Sequence, residues 1–155
     1  MMIIPPFQTI YYIILIYVLL VVYSNIKMIA ASDIDKKTLY KFGEKWSIDN
    51  LFHDYNNIFN EHNIDIVSLT TPSELHFEQL MELLKYPVKF VFCEKPFVLD
   101  VEDGVKLTDL AESKDLVSQV GFHNRYVGTF NKMRVLLTDS VIGDVYHFHA
   151  RSNGP

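Results

Sequence analysis

The sequence predicts an α/β fold, a parallel sheet with helices packed on both of its faces. Two observations lead there. After residue 26, short runs rich in β-branched and aromatic residues alternate with stretches whose apolar residues recur at helical spacing. Strict alternation of that kind is the pattern of parallel strands joined by crossover helices. The second observation is that polar clusters follow directly on the strand runs. Right-handed crossovers bring those strand ends to one edge of the sheet, where such sheets hold their ligands.

Taken in order, Ile26 to Ala31 reads as a strand ending at Ser32-Asp33. Asp35 can cap a helix from Lys36, because its carboxylate can accept the orphan amides of a first turn. Leu39, Phe42 and Trp46 then share one face. A short amphipathic helix is expected near Asp54 to Asn60, with Ile58 and Phe59 inward. Ile64 to Leu69 is a strand, broken by Thr70-Thr71-Pro72. Ser73 is expected to cap the next helix, with Glu74 favourable against its dipole. Phe77, Leu80, Met81 and Leu84 form its buried stripe. Pro87 ends that element, and Val88 to Cys93 is the next strand. Asp100 and Asp103 resemble a capping arrangement before a helix running to about Ser113. Leu116 to Val120 is a strand closed by Gly121. A helix from about Thr129 to Thr138 and a strand from Asp144 to Arg151 finish the chain.

Size and charge narrow the function. A chain of 155 residues can build one domain with a proper core, but not a full nucleotide domain and a full substrate domain together. The net charge of -5 offers no basic field to nucleic acid. The single cysteine, Cys93, excludes an internal disulfide and suits a reducing compartment such as the cytoplasm. The first 25 residues stand apart, with no charge before Lys27 and no glycine before Gly43. The run from Ile10 to Val22 is almost wholly apolar. With Ile3, Ile4 and Phe7 it reaches the roughly 20 residues of a membrane helix. It lacks the positive start of a secretory signal. Lys27, Lys36, Lys37 and Lys41 follow it and would keep the rest of the chain in the cytoplasm. Two expectations therefore stand side by side for residues 1–25: a membrane helix within residues 3–23, or a degenerate first β-α unit of the domain.

Four clusters fall at strand ends: Asp33, Thr70-Thr71-Pro72, Glu94-Lys95-Pro96 and Gly121-Phe122-His123. An acidic residue in the place of Asp33 can accept hydrogen bonds from ribose hydroxyls and would repel a 2′-phosphate, favouring NAD over NADP. The plainer alternative is a turn aspartate that caps a helix, a task for which Asp35 is available. Lys95 can polarise or deprotonate a substrate hydroxyl; the alternative is a solvated turn. His147 and His149 would share one face of a strand. Two histidines fall short of the three or four ligands a zinc site uses, so no metal is expected.

The blocks Thr-Thr-Pro-Ser-Glu-Leu-His (70–76), Val-Phe-Cys-Glu-Lys-Pro-Phe (91–97) and Val-Gly-Phe-His-Asn-Arg-Tyr (120–126) resemble the Gfo/Idh/MocA family in type and spacing. That is the glucose-fructose oxidoreductase and inositol dehydrogenase family, and the resemblance runs from about Ile26 to the end. It implies a Rossmann-like nucleotide-binding domain over residues 26–121 and the first elements of an incomplete α/β substrate domain over residues 122–155. It implies NAD, with NADP as the other option, and sugar-like or inositol-like substrates. Asp33 would touch the adenosine ribose, and Thr70, Thr71, Pro72 and His76 would line the cofactor. Glu94 would lie near the nicotinamide-side ribose, with Pro96 in the same turn. Lys95 would be the catalytic-site lysine, also beside the cofactor. His123, Asn124 and Arg125 would lie against the cofactor at the domain junction.

Two departures from the family pattern matter. The family opens with a glycine-rich turn, G-x-G-x-x-G, whose amides approach the pyrophosphate. Here the corresponding stretch is Pro5-Pro6-Phe7-Gln8-Thr9-Ile10, without glycine. The family's Asp-x-Gly-x-His-x-x-Asp segment lies beyond Pro155. The expectation is a divergent oxidoreductase fragment with little turnover alone. The competing expectation is a non-enzymatic, membrane-anchored remnant that serves as a binding or interaction module.

Overall fold

The structure, a computed structural model, describes residues 2–3 and 26–151. Nearly all of the membrane-helix candidate and the whole of the Pro5 to Ile10 stretch lie outside the described residues. Among the described residues no helix is long and apolar enough to cross a membrane.

The strands β1 (Met2–Ile3), β2 (Ala31–Ser32), β3 (Leu51–Phe52), β4 (Ile66–Leu69), β5 (Phe90–Cys93) and β6 (Val117–Val120) form a single parallel sheet, with each pair in register. Their order is β3-β2-β1-β4-β5-β6. The order reverses between β1 and β4, the switch point at which a doubly wound sheet opens a crevice. The helices are α1 (Lys36–Trp46), α2 (Asn56–Glu61), α3 (His76–Leu83), α4 (Val101–Ser113) and α5 (Gly128–Thr138).

Strand alternation sorts the core into two layers. Ala30, Val67, Leu69, Val91 and Cys93 pack with Ile58 of α2, Leu80 and Leu83 of α3, and Leu107 of α4. Ala31 turns the other way and packs with Leu39 of α1 and Ile48. Helices therefore cover both faces, as the alternation of the sequence predicts.

The helix ends follow from local chemistry. Asp35 caps α1, accepting the Thr38 amide at 2.6 Å. That backbone bond is the main reason its carboxyl lies below the ordinary aspartate value. The α1 helix ends at Ser47, which takes a left-handed φ of 53°. Gly43 lets α1 approach β3, since a Cβ there would meet Leu51 Cδ1 at 2.7 Å. Asp100 caps α4 by accepting the Glu102 amide at 2.9 Å.

Several elements differ from the sequence expectation. The strand expected over Ile26 to Ala31 reduces to Ala31–Ser32, matching the two-residue ladders that β1 and β3 offer on either side. Leu51–Phe52, too short to show a pattern, is a strand the sequence reading did not foresee. Ser73 does not cap a helix. It opens a 3-10 turn, Ser73–Leu75, behind Pro72, and α3 begins at His76 with no side-chain cap. No strand forms over Asp144 to Arg151.

The chain divides into two compact units, Met1–Gly121 and Phe122–Pro155. The first holds the sheet. The second holds the 3-10 turn His123–Tyr126 and α5, and none of its described residues is buried.

Candidate functional site

The candidate site is built from the carboxyl ends of β2, β4, β5 and β6. Asp33 follows β2 and is only 3% exposed. Its Oδ1 accepts the Asp35 amide at 2.7 Å, while its buried Oδ2 has no partner among the described residues. Burial pushes its carboxyl above the ordinary aspartate value. The Asp35 amide pulls it back down, the Asp35 charge adds to the rise, and His53 opposes it. An unpaired, buried carboxylate oxygen is costly unless a donor reaches it.

Across β1, Thr70 follows β4 and is 1% exposed. Its Oγ1 is likewise buried and unpartnered. Strand alternation sends Ser68 and Thr70 away from the layer that contains Val67 and Leu69. Polar atoms without a partner among the described residues thus lie on both sides of β1: Asp33 Oδ2 on one, Ser68 Oγ and Thr70 Oγ1 on the other.

The next cluster is organised by His76, the first residue of α3 and itself buried. Its Nε2 lies 2.8 Å from the Thr71 carbonyl, and its Nδ1 lies 2.9 Å from the Pro96 carbonyl and 3.2 Å from that of Phe97. The ring bridges the turn after β4 to the turn after β5. The Thr71 hydroxyl is also tied down, donating to Gln79 Oε1. Gln79 lies one helical turn after His76, a spacing that could have flagged it.

Glu94 follows β5, its amide donating to the Leu69 carbonyl at 2.9 Å. Its carboxylate accepts the Lys95 amide at 3.1 Å and lies against Gly121, the residue that follows β6. The Lys95 side chain is exposed, and the Lys95–Pro96 peptide is cis. Cys93 is inert beside this turn, because burial first and the Glu94 charge second push its thiol up to about 12.

His123, Asn124 and Arg125 form the 3-10 turn of the second unit. His147 and His149 lie on no strand, so the shared face that suggested a metal pair does not exist. Among the described residues no group of three metal-binding side chains occurs. A cavity of about 210 Å³ lies elsewhere, under α3 and α4, lined by Leu83, Val91, Phe97, Leu107 and Ala111 among others. Its apolar walls suit a packing defect better than a nucleotide.

Comparisons with known proteins agree with this fold. The Gfo/Idh/MocA oxidoreductase family, NAD-binding Rossmann fold, matches residues 18–122. An inositol 2-dehydrogenase/D-chiro-inositol 3-dehydrogenase of Lactiplantibacillus plantarum is 36% identical over 94 residues, covering 59% of this chain and 26% of that protein. A myo-inositol 2-dehydrogenase of Thermotoga maritima is 26% identical over 138 residues, covering 85% of this chain and 41% of that protein. In fold, the scyllo-inositol dehydrogenase of Lactobacillus casei, solved with bound NAD(H) and scyllo-inositol, superposes with a TM-score of 0.77. It is 23% identical, and the match covers 92% of this chain and 42% of that one. The chain spans less than half the length of these relatives.

Proposed function

This chain belongs to the Gfo/Idh/MocA oxidoreductase family, and on that premise we propose that it is the nucleotide-binding part of an NAD-dependent dehydrogenase of sugar-like or inositol-like alcohols. The observation that carries the reading is that two buried atoms flanking the switch point, Asp33 Oδ2 and Thr70 Oγ1, have no partner among the described residues. A ribose hydroxyl donated to Asp33 would satisfy the first of them. A 2′-phosphate would meet the same carboxylate as a repulsive neighbour, so NAD is favoured over NADP.

In this reading NAD, when bound, accepts a hydride from the substrate carbon. The chain's own residues hold and orient. Thr71 and Pro72 shape the wall after β4, and His76 fixes that wall to the Pro96 turn. Glu94 reaches toward the ribose of the nicotinamide half. Lys95, exposed at the end of β5, takes or shares the proton of the substrate hydroxyl. His123, Asn124 and Arg125 belong to the start of a substrate domain. The sequence over residues 5–10 has no glycine, and Pro5 and Pro6 carry no amide donor for a pyrophosphate, so weak affinity and low turnover by this chain are expected.

Calorimetric titration tests this. NAD is expected to bind with a dissociation constant of about 1 mM, NADP more weakly, and the Asp33→Ala chain not measurably. Equal binding of NAD by wild type and Asp33→Ala would remove Asp33 from the site.

A further inference from the structure

Gly121 is the residue at this edge whose side chain is missing for a visible reason. Its φ lies outside the left-handed region, so its backbone would accept any residue. What crowds a side chain there most closely is one residue. A Cβ built at Gly121 would lie 2.9 Å from Glu94 Oε2, 3.1 Å from Glu94 Oε1 and 3.1 Å from Glu94 Cδ, and these are the three nearest heavy atoms. The two residues are held side by side by the sheet itself. The Gly121 amide donates to the Cys93 carbonyl at 2.8 Å, one residue before Glu94.

We propose that Gly121 is a positioning residue: the space it leaves empty at the end of β6 is where the Glu94 carboxylate lies, and this sets the direction in which that carboxylate meets a bound nucleotide. The inference rests on the reading of the edge as a nicotinamide-dinucleotide site. The clash that a methyl would create is with the far end of a flexible side chain, not with backbone. The carboxylate can therefore swing away at little cost to folding. A substitution here moves a functional group while leaving the fold standing, which separates positioning from a structural role.

The test uses the full chain as wild type, Gly121→Ala, Glu94→Ala and the double variant. Two readouts are taken. The backbone amide resonance of Lys95 reports the Glu94 carboxylate directly, because Lys95 N–H donates to Glu94 Oε2 at 3.1 Å. Binding of NAD is compared with binding of ADP, which lacks the nicotinamide-side ribose. In Gly121→Ala the Lys95 amide is expected to move toward its position in Glu94→Ala, with the unfolding midpoint nearly unchanged. NAD affinity falls about tenfold, the scale of losing a hydrogen bond to a charged group, and ADP affinity holds. The double variant binds NAD no worse than Glu94→Ala alone. An unmoved Lys95 amide, additive losses in the double variant, or equal losses for NAD and ADP would each overturn the proposal. If wild type binds neither nucleotide, the cofactor reading fails, and the Lys95 amide alone decides whether Gly121 places Glu94.

Discussion

One unit has a buried interior, while none of the described residues of the other is buried. In the first, Leu39, Ile58, Leu69 and Leu83 are almost wholly buried. In the second, Phe130, Val141, Ile142, Tyr146 and Phe148 all stand exposed. A stretch of about 34 residues lies below the size at which a chain buries a core unaided. What survives in the second unit is what needs no partner. The α5 helix closes its own hydrogen bonds, and the Asp144 to Arg151 stretch, which would need a neighbouring strand, stays without regular structure.

The contrast breaks most sharply at Leu69, which is 0% exposed within the larger core layer. Leu69→Ala is expected to cost about 3 kcal/mol in urea unfolding. A loss under about 1 kcal/mol would mean that the first unit is no better packed than the second.

A smaller effect is expected at Asp33, where burial works against stability. Its folded-state carboxyl lies above the ordinary value of 3.8, chiefly through burial. The folded chain therefore holds the proton more tightly than the unfolded one. Stability falls as pH rises from the ordinary value through the raised one, and the penalty is present above it. Asp33→Asn should raise the urea midpoint at pH 7, and the gain should fade as pH drops to the ordinary aspartate range. A gain that is the same in acid and at neutrality would show that ionisation of Asp33 is not the cause.

The smallest effect belongs to the second unit. Tyr146, at 99% exposure, should be replaceable by Ala without a change in midpoint. A clear loss there would reveal a core that the burial pattern does not show.

What the sequence made legible was what depends on near neighbours. Asp35 and Asp100 cap the helices that their positions promised, because a cap is decided within three residues. The alternation of strand and helix placed β4, β5 and β6 within two residues, since their apolar runs are long enough to read. The edges of the sheet were less legible. The length of β2 is set by β1 and β3, and a two-residue strand such as Leu51–Phe52 has no period. Ser73 looked like a cap because residue preference could not show that Pro72 opens a tighter turn first. The family blocks marked Glu94, Lys95 and His76, but not how they touch. That His76 turns inward to two backbone turns, and that Gly121 makes room for Glu94, are contacts across the fold.

The His76 bridge also has a consequence for motion. The turn after β4 and the turn after β5 are each exposed loops that would ordinarily open by themselves. One buried ring lies within hydrogen-bond distance of the Thr71 carbonyl on one side and of the Pro96 and Phe97 carbonyls on the other, so opening either turn disturbs the packing of the ring against the other. The two loops are therefore expected to open together rather than one at a time.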